Sequence, residues 1–401
     1  MSGALDGIRI LDFTQMMAGP LCPTLLGDLG ADVIKVEPPE GDAMRRTGDV
    51  RIGGESDLFL SVNRNKRSVV LDLKSETGQR AARVMAATAD VVIENFRPGT
   101  AERLGVGYEA VREDNPEVIY CSITGFGRDG PDRTRPALDP VMQALSGLMS
   151  LTGDERTGPL LAGMPISDFV TPVFATLGVL AALFARERTG RGQRIDLSMI
   201  DASIFTMMPR EAYVMAAGQE LPRLGNRHYQ MVPYNAYETR DGKSVMVIAH
   251  NDKFWKALVA ALDCPELLHD ERLATTAGRA EHRDVVEALF AKRFLSEDLS
   301  TWVDRLTRAD AIFAPVRSLP EVLADERVQR DMLAHVEHPT AGALSLLANP
   351  VRFSGTPASI RQAPPTLGQH SEEVLTRLEG DGPWLSSAAS MHPVAGAAGD
   401  D

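Results

Sequence analysis

The chain has 401 residues, of which 44% are hydrophobic, and this length predicts two domains with ample material for their cores. Its formal net charge of −13 argues against a nucleic acid or an anionic membrane surface as the main partner. The 3 cysteines exclude a disulfide framework and include no Cys-x-x-Cys pair, which favours a cytoplasmic protein without a cysteine zinc site.

The first part of the chain alternates strand and helix patterns. The predicted buried strands are 8–13, 31–37, 67–73, 90–95, 117–123 and 193–199. Amphipathic or apolar segments between them predict helices, among them Ser75 to about Ala89. Strands that alternate with helices predict an α/β fold with a mostly parallel, Rossmann-like sheet.

A glycine pattern, Gly125-x-Gly127-x-x-Gly130, follows one of these strands and matches the dinucleotide-binding fingerprint. The fingerprint needs a helix to open at its third glycine. Pro131 and Pro136 follow and would break such a helix. We therefore expect a mobile loop near the carboxyl edge of the sheet and no nicotinamide or flavin cofactor.

Asp168 precedes a long apolar segment that predicts a buried helix. Thr171 as N-cap and Pro172 at the first helical position form a helix start signal. Asp is itself a common N-cap residue, so Asp168 is either the cap or, because Thr171 can do the capping instead, a group free for chemistry. A carboxylate at the positive end of a helix is held ionised and can act as a nucleophile or base.

After about residue 224 the patterns change. A hairpin is predicted around Arg240-Asp-Gly242, followed by helices at 251–262, 283–295 and 299–309, which indicate a smaller α+β domain. We predict a large domain whose N-terminal part is 1–200 and whose C-terminal part is 321–383, with the small domain at 225–320 between them. Residues 201–224 are predicted to be a linker, which takes in most of a Met-rich helix at 200–217. Residues 384–401 are predicted to be a disordered tail.

Two classes of site are not indicated. His335 and His338 are the closest histidine pair and have no third ligand nearby in sequence, so no metal is expected. The longest apolar run, Val173–Ala185, is too short to span a bilayer, and the N-terminus lacks the features of an export signal, so neither export nor a membrane span is expected.

Basic residues recur at predicted strand ends: Arg64 to Arg67 with Lys74, then Arg97 and Arg103. Ligands of open α/β sheets bind at the carboxyl edge, where arginine and lysine suit phosphates. Each residue by itself could equally be a solvated loop charge. Their repeated placement favours an anion site.

Several long motifs in order resemble the class III coenzyme A (CoA) transferases, over nearly the whole chain to about residue 380. The matching segments are Leu5–Thr14, Ala18–Pro20, Leu29–Glu37, Asn63–Ser68, Asp90–Gly99, Ser122–Gly127 and Thr189–Gln193. The resemblance implies an interlocked homodimer, each chain having a large Rossmann-like domain and a small one. It implies acyl-CoA and a carboxylic acid as substrates, with no permanently bound cofactor.

The resemblance also implies site residues. Asp168 matches the family's aspartate nucleophile. A glycine-bearing loop of the small domain, Gly225-Asn226-Arg227-His228, would close over the active site. The residues implied to contact CoA are Met16, Met17, Ala18, Leu71, Asp72, Lys74, Asn95, Phe96, Arg97, Arg103 and Leu138.

Two departures from relatives bear on the activity. Leu138 stands where the family's racemases have a proton-carrying histidine and many transferases an aromatic residue, which favours transfer over racemisation. Met17 replaces the glutamine of some relatives and makes the pocket wall more apolar. The expected function is CoA transfer from an acyl-CoA, with succinyl-CoA a possible donor, to a carboxylic acid. A 2-methylacyl-CoA racemase and a non-catalytic CoA-binding protein are the alternatives.

A second carboxylate of a dicarboxylic acceptor has two candidate partners, Arg210 and Arg227. Surface or interface salt bridges are the alternative for both.

Overall fold

The computed structural model describes residues 3–379, so the predicted tail at 384–401 lies outside the described residues. The chain forms two compact units. The first contains the residues up to Leu148, Ala162–Met208 and those from Glu326 onwards, and the second contains Met149–Leu161 and Pro209–Asp325. The predicted boundaries differ from this division, chiefly because residues 149–161, which contain a short hairpin without a periodic signal, belong to the second unit.

A six-stranded sheet forms the centre of the first unit. Its strands in chain order are β1 (Arg9–Asp12), β2 (Asp32–Glu37), β3 (Lys66–Val70), β4 (Val91–Glu94), β5 (Ile119–Thr124) and β6 (Gln193–Ser198). They lie in the order β3-β2-β1-β4-β5-β6, and each neighbouring pair is parallel. This confirms the predicted α/β fold with a parallel sheet. In this order the winding of the chain reverses between β1 and β4, where ligands of such sheets bind.

Both faces of the sheet are covered, as the continuous apolar strands require. Leu11 pairs in register with Val92 of β4, and both belong to a buried cluster with Ala82 of the helix Glu76–Thr88. Ile10, the preceding residue of β1, points to the opposite face and clusters with Val179 of the helix Ile166–Thr189. The alternation of side chains along each strand thus feeds two separate apolar layers.

The first unit also holds ten α-helices, one 3₁₀ helix and a β-hairpin among the residues described. The α-helices are Leu21–Asp28, Asp57–Ser61, Glu76–Thr88, Thr100–Arg103, Tyr108–Asp114, Asp139–Leu145, Ile166–Thr189, Met199–Phe205, Glu326–Met332 and Ser371–Glu379. The 3₁₀ helix is Ala43–Arg46, and the hairpin pairs Leu333–His338 with Gly342–Leu347. A shorter strand pair joins Arg51–Ile52 to Glu55–Ser56.

The second unit is built on an antiparallel sheet with the strand order β7 (Tyr234–Glu238), β8 (Ser244–Ile248), β9 (Ile312–Pro315). Its α-helices are Arg210–Ala217, Asp252–Leu262, Thr276–Glu281, Arg283–Phe294, Leu299–Arg308 and Leu319–Leu323, with 3₁₀ helices at Pro265–Leu268 and Glu271–Leu273. A short hairpin pairs Gly153–Asp154 with Gly158–Pro159, and the division between the units falls within the one-turn helix Leu148–Leu151. Trp302 and Phe290 are fully buried in the core of the second unit.

One predicted helix is wrong. The Met-rich segment 200–217 forms two helices, Met199–Phe205 and Arg210–Ala217, instead of one. Pro209 lies at the N-cap of the second helix. A proline lacks the N–H that a continuous helix would need at this position and its ring clashes with the preceding turn, so the helix restarts there.

The helix Ile166–Thr189, called the Asp168 helix below, has 24 residues and is longer than the apolar run predicted for it. By length and composition alone it could cross a membrane, a test that core helices of soluble proteins also pass. The prediction that the apolar segment is too short to span a bilayer is therefore wrong. One side of this helix, including Ala175 and Val179, packs in the core, whereas Phe169, Leu177 and Phe184 are exposed.

Candidate active site

The start of the Asp168 helix differs from the predicted one. The helix begins at Ile166, so Asp168 lies in its first turn, and Pro172 lies inside the helix. Thr171 caps nothing; its hydroxyl donates to the carbonyl of Ser167 at 2.7 Å. The reasoning that Thr171 frees Asp168 from capping is thus wrong, although Asp168 is indeed not the cap.

The cap comes from a different segment. Asp139 Oδ1 accepts hydrogen bonds from the backbone N–H groups of Ser167 at 2.7 Å and Asp168 at 3.4 Å. Its other oxygen accepts from Gln143 Nε2 at 2.6 Å. The buried Asp139 carboxylate therefore satisfies orphan N–H groups at the positive end of the helix. Sequence reasoning missed this role, because no local pattern links residues 28 positions apart.

The Asp168 carboxyl is half-buried, and burial together with the nearby charge of Asp139 raises its pKa to about 6. The sequence predicted the opposite direction from the helix dipole alone. Loss of hydration and a neighbouring carboxylate outweigh the dipole here, since the N–H groups of the first turn are already bonded to Asp139. Above about pH 6 Asp168 is ionised, poorly solvated and suited to attack a carbonyl carbon.

Asp168 lines a cleft of about 560 Å³ at the carboxyl edge of the sheet. The cleft brings together seven of the residues implied to contact CoA: Met16, Met17, Ala18, Asn95, Phe96, Arg97 and Leu138. They come from the loops after β1 and β4 and from the N-cap of the helix Asp139–Leu145. The site therefore lies where the winding of the sheet reverses.

Sequence reasoning missed the other lining residues of this cleft. They are Met44, Leu58, Pro98, Ile123, Thr124, Gly125, Arg133, Arg135, Pro136, Ala137 and Met199. The residues from 125 to 138 form a loop without a helix, as the prolines predicted. Its start directly after β5, at the carboxyl edge, was the signal that could have placed Arg133 and Arg135 in the site.

Hydrogen bonds from Asn95 and Asp42 shape the loops of the cleft. The Asn95 side chain accepts from Gln15 N–H and donates to Gln15 C=O, both at 2.8 Å, so it ties the loop after β4 to the loop after β1. Met16 has a left-handed φ of 66°, and its N–H donates to Asp42 Oδ1 at 3.0 Å. Asp42 in turn pairs with the fully buried ammonium of Lys35 at 2.9 Å. Asn95 thus positions backbone with both ends of its amide.

Leu71, Asp72 and Lys74 line a second cleft, of about 350 Å³. Phe96 lines both clefts. Arg103 lines neither of them; it is exposed on the helix Thr100–Arg103, and its guanidinium donates to Thr100 Oγ1.

The predicted anion site at Arg64 to Arg67 is wrong. These residues lie at the amino end of β3 or just before it, and their charges are buried in ion pairs. Arg64 pairs with Asp28, Lys66 with Asp12 and Arg67 with Asp32, at 2.7–2.9 Å. Since charge pairs of this kind are already neutralised and closed to solvent, they hold the sheet together instead of binding a ligand.

The loop Gly225–His228 belongs to the second unit. Gly225, Asn226 and Arg227 line a cleft of about 930 Å³ within that unit, and Gly225 has a left-handed φ of 61°. His228 Nδ1 accepts from two backbone N–H groups, and its pKa is lowered, first by burial and then by Arg210 and Arg283. The role of this loop in closing the active site stays a prediction.

Comparison with known proteins settles the family. The model of CoA-transferase family III matches residues 5–371. The chain belongs to this family. It is accordingly an acyl-CoA:carboxylate CoA-transferase, as the sequence motifs predicted.

Similar proteins cover nearly the whole chain. The succinyl-CoA:glutarate CoA-transferase of Mus musculus is 36% identical over 373 residues, 92% of this chain and 85% of the mouse protein. The succinyl-CoA:mesaconate CoA-transferase of Haloarcula marismortui is 37% identical over 93% of this chain and 96% of its own. A CAIB/BAIF family protein from Brucella suis has a crystal structure that matches with a TM-score of 0.86 at 33% identity, covering 94% of this chain and 100% of that one.

Proposed function

We propose that this CoA-transferase moves CoA from succinyl-CoA or a similar thioester to a carboxylic acid through covalent intermediates on Asp168. One observation carries the proposal. The half-buried Asp168 carboxylate lines a cleft at the carboxyl ends of β1 and β4, and the other charged groups that line this cleft in the described part of the chain are arginines. A nucleophilic carboxylate in an otherwise cationic and apolar cleft suits an anionic acyl-CoA substrate.

The chemistry proceeds by acyl and thiolate exchange. The Asp168 carboxylate attacks the thioester carbonyl, the C–S bond breaks, and a mixed anhydride and CoA thiolate form. The thiolate attacks the aspartyl carbonyl, so that the donor acid leaves and an aspartyl-CoA thioester remains. The acceptor carboxylate then attacks the aspartyl carbonyl, which releases CoA thiolate and forms a new mixed anhydride. The thiolate attacks the acceptor's acyl carbonyl in this anhydride. The product acyl-CoA leaves and Asp168 is regenerated.

The two clefts that share Phe96 support a path for CoA. The thioester end lies at Asp168, and the rest of the molecule extends past Phe96 toward the second cleft. Arg97 and Lys74 line the two clefts and are exposed at the carboxyl edge, which suits them to bind the phosphates of CoA. Within residues 3–379 no histidine lines the Asp168 cleft, and Leu138 lies there at the position of the racemase histidine, which favours transfer over racemisation.

The test is a screen of acyl-CoA donors, succinyl-CoA included, against mono- and dicarboxylic acids. We expect turnover with the wild type and its loss, by several orders of magnitude, in Asp168→Asn, whose amide is not a nucleophile. Mass spectrometry of the wild type mixed with donor should find a CoA adduct on Asp168. Asp114→Asn is the matched control, since Asp114 lies on the surface and pairs with Arg83. Full activity of Asp168→Asn would contradict the mechanism.

We further propose that the chain forms the interlocked homodimer implied by its family and resides in the cytoplasm. Exposed apolar side chains on the Asp168 helix, among them Phe169, Leu177 and Phe184, support a second copy as the partner of that face. All three cysteines are free thiols, which agrees with a reducing compartment.

A further inference from the structure

Three guanidinium groups line the cleft of Asp168, and they differ in what already holds them. Arg97 follows β4, in the segment where CoA is implied to bind. The Arg135 guanidinium lies 3.9 Å from the carboxylate of Asp132 and 5.3 Å from the ring centroid of Phe126.

Arg133 and Arg97 both lack such partners among residues 3–379, and Arg133 is the one that lies outside the segment implied to bind CoA. Within residues 3–379 its side chain makes no hydrogen bond or ion pair, although the loop places it in the lining of the cleft. It is exposed, so its charge stays hydrated when the site is empty. A guanidinium that lines the same cleft as Asp168 offers a forked hydrogen-bond donor to a second anionic group of the substrate.

The cleft between these charged groups has an apolar lining. Met16 and Met17 contribute thioether side chains, and the Leu138 side chain is 62% exposed. An acyl group that bound there would lay methylene carbons on these side chains. A charge at the far end of that acyl group would be stable only with a cationic partner, because an unpaired carboxylate is costly to desolvate.

We propose that Arg133 binds the far carboxylate of a dicarboxylic acyl group, so that the enzyme exchanges CoA between short dicarboxylic acids. The proposal rests on the proposed function, in which the near carboxylate reacts with Asp168. The two arginines first considered for this role are engaged within the second unit. Arg210 lies over the Tyr229 ring, and Arg227 Nε donates to the Leu224 carbonyl.

Matched substrates test this assignment. Glutarate and valerate have five carbons and differ in the far carboxylate, as do succinyl-CoA and butyryl-CoA with four acyl carbons. We expect wild-type kcat/KM to favour the dicarboxylic member of each pair. Arg133→Gln should lower kcat/KM for glutarate by about tenfold or more, the usual effect of losing a charged hydrogen bond, and leave kcat/KM for valerate unchanged. Arg133→Lys should restore part of the preference.

Controls separate this role from others. Arg80→Gln removes a cation exposed on the helix Glu76–Thr88 and should change neither preference. Equal losses with both acids, together with a raised KM for every acyl-CoA, would overturn the proposal and assign Arg133 to the CoA phosphates. A wild type that prefers the monocarboxylic substrates would overturn it too, while leaving transfer through Asp168 intact. Absence of turnover with every donor and acid would instead refute the proposed function.

Discussion

At the scale of single residues, the site depends on two carboxylates at one helix end. Asp139 supplies the hydrogen bonds of a cap, and its charge lies close enough to Asp168 to raise the pKa of the Asp168 carboxyl. Burial is the larger cause of that shift. Asp139 thus caps the helix, whereas Asp168 is the residue proposed to react. A substitution can remove the charge of Asp139 while keeping its cap.

Asp139→Asn provides that separation. The asparagine oxygen still accepts from Ser167 N–H, but the negative charge is gone, so the pKa of Asp168 should fall from about 6. Since Asp168 must be ionised to attack, the acidic limb of the kcat/KM profile should move to lower pH, by less than about one unit because burial remains. The measurement is kcat/KM between pH 4.5 and 8. Asp114→Asn is the reference variant. If the acidic limb of Asp139→Asn coincides with that of Asp114→Asn, the Asp139 charge does not raise the pKa of Asp168.

Asp42 and Lys35 form a second important pair. Both side chains are fully buried, and Asp42 Oδ1 holds Met16 N–H in the wall of the cleft. Asp42→Asn should keep that hydrogen bond but leave the Lys35 charge without its closest counter-ion. We expect the free energy of unfolding to fall by about 3 kcal/mol, as for other broken buried ion pairs. Urea denaturation measures this free energy. The control Asp114→Asn breaks an exposed ion pair and should lose less than about 1 kcal/mol.

At the scale of elements, the loops that follow the strands of the sheet line the candidate site. Glu94 closes β4, and its carboxylate accepts from Phe96 N–H at 2.7 Å and from the hydroxyl of Ser122. Burial raises its pKa to about 7 despite those bonds and the nearby Arg128. The loop after β4 is therefore anchored by a group that titrates near neutrality.

This anchor predicts a pH-dependent stability. A carboxyl whose pKa is higher in the folded than in the unfolded chain favours folding fully below about pH 4.5, and that contribution is lost as the pH rises through about 7. Relative to Glu94→Gln, the wild type should lose on the order of 3 kcal/mol of unfolding free energy between pH 4.5 and 8. Denaturant titrations at several pH values measure it. Glu109→Gln, at an exposed helix position, serves as the control, and parallel curves for Glu94→Gln and wild type would contradict the pKa shift.

At the scale of the whole molecule, the exposed side of the Asp168 helix predicts self-association. Without detergent, light scattering after gel filtration should give twice the chain mass of 43.4 kDa. Leu177→Asp places a charge on that side, where the wild-type side chain is 61% exposed, and should shift the population toward a single chain. Val84→Asp, at another exposed apolar position of the same unit, should not. A wild type of single-chain mass would contradict the dimer.

The features that could be predicted from the sequence are those set by interactions between residues close together in the chain. Strand positions, the hairpin at Gly242 and the loop after Gly125 followed from local patterns, because side-chain periodicity and the φ of proline and glycine act within a few residues. Asp168 was found through its motif. The helix start was wrong by six residues, since Pro172 was taken as a start signal when a more distant carboxylate had already satisfied the first turn.

The sequence by itself determined the alternation of strands and helices and the family, and it singled out Asp168 as the proposed nucleophile. Only the tertiary structure decided that Arg64, Lys66 and Arg67 are buried in ion pairs, that Asp139 caps the Asp168 helix, and that Arg133 lines the same cleft as Asp168. The physical reason is the strand order β3-β2-β1-β4-β5-β6. This order brings the loops after β1, β4 and β5 to one edge of the sheet. The strand order, and no local sequence pattern, therefore decides which charged side chains meet there.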